Sequence, residues 1–182
     1  KDKVSLITVG SLIYDKSQSL LLNGIQVLSK KYPNISLDIV GSGPLLEDLI
    51  DQTKKLKIEN IVTFKGYIEE PKKLYDLIFQ SDIFILTSKN EGFPRVLYEA
   101  MAMRIPILTT DAGGIPYLLK NKENALLVPV DCHPNKIAEG IEEIIINKNL
   151  RKKIIAGAKL TLNQVLASNN KNQISELISK YF

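Results

Sequence analysis

The chain has 182 residues, 45% hydrophobic and 24% charged, which fits one globular domain with an adequate core. Its net charge of +4 is spread over lysines, with Arg only at positions 95, 104 and 151. No aromatic residues interleave with Lys30-Lys31, Lys54-Lys55 or Lys72-Lys73, so these pairs read as solvated surface and no nucleic-acid partner is expected. A single Cys132 beside a single His133 allows no intrachain disulfide and gives no metal-ligand spacing. No metal site is expected, and a reducing, cytoplasmic compartment is. No apolar run approaches the roughly 18 residues a membrane span needs.

Taken in order, the chain alternates short apolar runs with helical patterns. Val4 to Val9 reads as a first strand, Gly10 to Ser17 as a loop, and Gln18 to Lys31 as a helix with Leu21, Leu22, Ile25 and Leu28 on one face. Ile35 to Val40 is a second strand. Gly41-Ser42-Gly43-Pro44 then turns into a helix from Leu45 to about Leu56. The third strand is Ile61 to Phe64, and Pro71 opens a short helix to about Phe79. Ile83 to Leu86 is the fourth strand, followed by a helix through Met103. Pro106 to Thr109 is the fifth strand, and a short helix follows Gly113-Gly114-Ile115-Pro116. Ala125 to Val128 is the sixth. From Pro134 onward the pattern is helical, with Ile137, Ile141, Ile144 and Ile145 on one face, and the last stretch is amphipathic through Ile174, Leu177, Ile178 and Phe182. The chain begins at Lys1, not Met, and runs straight into a strand with no signal-peptide core, which reads as a piece cut from a longer protein.

This alternation, without hairpin signals, predicts an α/β fold: a Rossmann-like, six-stranded parallel sheet with helices on both faces. In the strand order 3-2-1-4-5-6, strands 1 and 4 flank the switch point, where ligands bind at the strands' carboxyl ends. Their following loops, Gly10–Ser17 and Thr87–Pro94, then face one crevice.

The second of these loops carries the most specific signal, Glu91-Gly92-Phe93-Pro94-Arg95-Val96-Leu97-Tyr98-Glu99. Pro94 suits the first helical turn. On that start Glu99 lies roughly 7.5 Å along the helix axis. Between the two carboxylates lie the free N–H groups of a helix N-terminus, a ready anion site. A ligand with phosphate in its middle and hydroxyls at both ends, such as a nucleoside diphosphate sugar, matches that arrangement. Across the crevice, Gly10 lets backbone approach a ligand and Lys16 offers a point charge for phosphate. Gly41-Ser42-Gly43 follows the second strand and lacks the third glycine of a dinucleotide fingerprint, so it reads as a helix-entry turn. Gly113-Gly114 also reads as structural. The absence of an Asp-x-Asp pair argues against a metal-bridged diphosphate, leaving Lys, Arg and backbone N–H groups to meet its charge.

These segments resemble the C-terminal half of the retaining glycosyltransferases of family 4, which place two Rossmann-like domains across a cleft. The resemblance is carried by Val9-Gly10 with Lys16, Ile39 to Pro44, Phe64 to Ile68, Ser81 to Ile85, Ser88 with Glu91 to Pro94, Tyr98 to Ala102, Asp111 to Pro116, and Leu126 to Pro129. It implies that the chain binds a nucleoside diphosphate hexose, with a UDP- or GDP-sugar expected, as substrate and without a cofactor. It also implies a missing N-terminal acceptor domain as partner, peripheral membrane contact through the full-length protein, and no transfer activity for this chain alone. By the same resemblance Lys16 contacts the diphosphate and Glu99 the ribose. Glu91 and the backbone of Gly92, Phe93, Pro94, Arg95 and Val96 hold the sugar and distal phosphate, Gly10 and Ser11 line the phosphate side, and Ile68 lies by the base. Lys16 and Glu91 take the catalytic roles. Ser11 stands where the family has Arg, and Arg95 is expected to compensate in part. Arg104 and Ser17 stand where it has Gly, and Tyr117 where it has Glu. These departures keep two alternatives open, a stand-alone nucleotide- or protein-binding module and half of a sugar-nucleotide epimerase.

Overall fold

The computed structural model describes residues 3–167. Six strands form one parallel sheet: β1 (Val4–Val9), β2 (Ile35–Val40), β3 (Val62–Gly66), β4 (Ile83–Leu86), β5 (Ile107–Thr110) and β6 (Leu126–Val128). Their order is β3-β2-β1-β4-β5-β6, the doubly wound arrangement expected from the alternation. The helices are α1 (Gln18–Ser29), α2 (Leu46–Leu56), α3 (Pro71–Gln80), α4 (Arg95–Ala102), α5 (Ile115–Leu118), α6 (Pro134–Ile146) and α7 (Lys148–Ala167).

The strands are apolar on both faces because both faces are covered. Alternate residues feed two cores: Leu6, Leu37, Ile83 and Ile85 enter one, with α1, α2 and α6, while Ile7, Phe84, Leu86 and Ile107 enter the other, with α3 and α4. Helix α7 serves both, contributing Leu150 and Ile154 to the first and Ala158 and Leu162 to the second.

Several boundaries differ from expectation. Helix α1 stops at Ser29, and β3 runs from Val62 to Gly66. The long helical stretch after Pro134 is two helices. Asn147 leaves helical geometry (φ −94°, ψ 84°) and its Oδ1 accepts from Leu150 N at 2.9 Å, so it ends α6 and caps α7. The amphipathic stretch from Ser168 to Phe182 lies outside the described residues. Arg104 follows α4 in the left-handed region (φ +56°), and Ser17 precedes α1 there (φ +50°). These are two of the positions where Gly was anticipated, and each carries backbone strain of about 1–2 kcal/mol.

Candidate functional site

The switch point between β1 and β4 opens a crevice of about 340 Å³ at the strands' carboxyl ends. Gly10, Ser11, Lys16, Glu91, Pro94, Arg95, Val96 and Glu99 line it, with Val9 and Leu86 at its floor. These residues come from three places in the fold: the loop after β1, the loop after β4, and the first turns of α4.

The two loops are stitched together through their backbones. Thr87 Oγ1 donates to Lys16 O (3.2 Å) and Ser17 O (3.1 Å), and Lys89 N donates to Asp15 O (2.7 Å). Buried Gln18 donates from Nε2 to Ser11 O at 2.9 Å, fixing the start of the first loop. A single 3₁₀ turn, Tyr14–Lys16, then aims the Lys16 side chain back into the crevice, where its methylenes lie against Gly10.

There Lys16 meets Glu91. Its Nζ donates to Glu91 Oε1, which also accepts from Ser88 Oγ at 2.6 Å. The pair is largely withdrawn from water, the two side chains being 21% and 9% exposed. Ser88 itself is fully buried, its carbonyl accepting from Thr110 Oγ1. Ser88 carries part of the family resemblance but is not among the expected site residues; here it holds the Glu91 carboxylate.

The Glu91 loop rests on the turn after β5. Gly114 N donates to Glu91 O at 2.9 Å. A Cβ on Gly113 (φ +49°) would fall 2.0 Å from Glu91 O, and one on Gly114 2.0 Å from Gly92 O. The glycine pair is therefore structural, as read, and the structure it serves is this loop.

Helix α4 begins at Arg95. Pro94 is the residue before it, in extended geometry (φ −72°, ψ 127°), not a member of its first turn as expected. An N-cap residue leaves helical φ/ψ by definition, and Pro tolerates the extended form as readily as the helical one. No side chain caps α4, so its leading N–H groups face the crevice without a protein acceptor on a side chain. Glu99 then lies about 6 Å along the axis from Arg95.

Glu99 is buried, and burial pushes its carboxyl pKa up; the Arg95 guanidinium opposes this only in part. Arg95 Nε stands 3.7 Å from Glu99 Oε1, with the arginine 63% exposed. Its guanidinium thus lies along its own helix beside Glu99. Three sequence-predicted residues stand outside the crevice lining. Phe93 packs on Tyr98, ring centroids 4.6 Å apart, and Gly92 is exposed. Ile68 is half-buried against the core under α3 and α4, with Val9. Among the described residues no three of His, Cys, Asp and Glu gather as metal ligands, and no helix is long and apolar enough to cross a membrane. His133 instead caps α6, its Nδ1 accepting from Asn135 N.

Residues 1–161 match the family described as glycosyl transferases group 1. The chain belongs to that family. This glycosyltransferase domain is 37% identical over 150 residues to an uncharacterized glycosyltransferase of Haemophilus influenzae, an overlap of 80% of this chain and 40% of the relative. It is 30% identical over 146 residues to a human phosphatidylinositol N-acetylglucosaminyltransferase subunit, spanning 79% of this chain and 29% of that protein. The domain thus spans well under half the length of these relatives. Its fold superposes on Anabaena Alr3699/HepE in complex with UDP and glucose with a TM-score of 0.82, at 24% identity, over 98% of this chain and 49% of that one. It also superposes on the C-terminal domain of LpcC, a group 1 family protein from Francisella tularensis, with a TM-score of 0.79, at 23% identity, over 88% of this chain and 85% of that one.

Proposed function

We propose that this domain is the donor-binding half of a retaining hexosyltransferase of the family 4 type, taking a UDP-sugar. The acceptor is recognised by an N-terminal domain outside this chain, so the 182 residues alone are inactive in transfer. One observation carries the reading: Lys16, Glu91 and Glu99, from three separate elements, line a single crevice at the sheet's switch point.

The unliganded charges define how a donor is received. Lys16 and Glu91 neutralise each other until a diphosphate arrives. The ammonium then turns to the phosphate oxygens, joined by the uncapped N–H groups of α4. Glu91, kept in place by Ser88, is released to accept from sugar hydroxyls. As the bond from the sugar to the diphosphate breaks, negative charge grows on the leaving phosphate, where Lys16 and the helix start stabilise it. The acceptor hydroxyl attacks from the same face, its proton passing to the departing diphosphate oxygen, and configuration is retained. Glu99 accepts from the two ribose hydroxyls, and Arg95 beside it offsets part of the burial that raises its pKa.

UDP is chosen because the Anabaena neighbour holds UDP and glucose. A thermal-shift panel of UDP, GDP, ADP and their sugars tests the choice. A ligand at 100 times its dissociation constant adds about 2.7 kcal/mol. The uridine compounds are expected to raise the midpoint; stabilisation by guanosine or adenosine compounds alone corrects the base, and none at all defeats the reading.

A further inference from the structure

At the opposite end of the sheet, beneath the starts of β4 and β5, lies a cavity of about 550 Å³, larger than the crevice. Three cations enter it: Arg104 from the turn before β5, and Lys148 and Arg151 from the first turns of α7. Among the described residues none of the three takes part in an ion pair. The carboxylate in the wall, Asp82, is turned to Ser5, its Oδ2 accepting from Ser5 N (2.9 Å) and Oγ (3.0 Å). The lining is therefore net positive, three cations against one carboxylate.

Two further features concern the elements that carry these cations. Arg104 occupies the left-handed region, where glycine would sit without strain, and in doing so places a guanidinium at the cavity. Helix α7 carries Lys148, Arg151, Lys152, Lys153 and Lys159 and not one Asp or Glu along its length. Apart from Ser81 the remaining lining is apolar, with Ile155 and Ile145 more open to it than the buried Ile83 and Ile105, and exposed Phe79 and Ile146 stand close in sequence to Ser81 and Ile145.

We infer that this cavity binds a phosphoryl group attached to an apolar body, the phosphate held by Arg104, Lys148 and Arg151 and the apolar part by the isoleucine walls. Guanidinium groups fit phosphate oxygens in bidentate fashion, and the lysine adds a point charge. Such a group has two sources, the head of an anionic phospholipid and a free phosphate ester.

The test follows backbone amides of the 182-residue chain by NMR during titration with inorganic pyrophosphate. In parallel it measures sedimentation with phosphatidylglycerol vesicles against phosphatidylcholine vesicles. Residues 104, 148 and 151 report this cavity; Lys16 and Gly92 report the crevice, so the two sites are read separately. Saturating shifts at the first set identify a free phosphate ligand, and selective binding to the anionic vesicles identifies a lipid head. Either effect should weaken about tenfold or more in Lys148→Gln/Arg151→Gln. Arg104→Gly should weaken it too, while raising the thermal midpoint through relief of the backbone strain. Absence of both effects, or effects unchanged in these variants, overturns the inference.

Discussion

The two carboxylates of the crevice are held in opposite ways. Glu91 sits on a loop, yet it is well held: a lysine from β1's loop and a buried serine share one of its oxygens, and two glycines support its backbone. Glu99 sits on a helix, the more rigid element, yet its charge is poorly met, with only an exposed arginine at 3.7 Å. Rigidity and satisfaction are thus divided between the two walls. The loop wall is set by polar contacts that a ligand must rearrange. The helix wall is set by packing, and burial raises the pKa of its carboxylate, which Arg95 offsets only in part.

The largest predicted effect breaks the loop wall. Gly113→Ala places a methyl group 2.0 Å from Glu91 O at a left-handed residue. It is expected to destabilise the domain by about 2–4 kcal/mol in denaturant unfolding. A change below about 0.5 kcal/mol would show that the loop yields freely and that Glu91 is not rigidly supported.

The helix wall responds to pH. Burial raises the Glu99 pKa in the folded state above its unfolded value. The folded protein then keeps a proton that the unfolded chain has lost, so this group's contribution to stability falls as pH rises from the ordinary carboxylate range through the raised value. Glu99→Gln removes that loss. The ligand-free variant should melt above the parent at neutral pH, and the two should converge near pH 4. A variant less stable at pH 7 would mean that Glu99 is stabilised by contacts other than those described. No equivalent gain is expected from Glu91→Gln, which would leave Lys16 unpaired.

The smallest effect on the fold is expected from Arg95→Ala. An exposed i,i+4 pair contributes about 0.3–0.5 kcal/mol, so ligand-free stability should barely move. Affinity for UDP should fall several-fold if Arg95 supplies the charge missing at Ser11. An unchanged affinity in a calorimetric titration would remove Arg95 from that role.

The sheet order was legible because each strand is an apolar run bounded by Gly, Pro or polar turns, and because parallel strands need helices between them. Placing Lys16 opposite Glu91 followed from that order alone. What could not be read was how they meet: they are 75 residues apart, and their direct pairing depends on a 3₁₀ turn that no periodicity announces. The glycine pair reads as structural from its sequence, but its partner, the Glu91 carbonyl, is a cross-loop contact invisible to local pattern. The boundary between α6 and α7 was missed because Asn147 interrupts a helical run without Gly or Pro, capping by its side chain.

A calorimetric titration of UDP into the parent chain and into Lys16→Met is the most direct measurement. Losing a charge-assisted contact of about 1.5–3 kcal/mol should weaken binding by roughly one to two orders of magnitude. Equal affinity of parent and variant, or no UDP binding by the parent, would contradict a crevice in which Lys16 leaves Glu91 to receive a diphosphate.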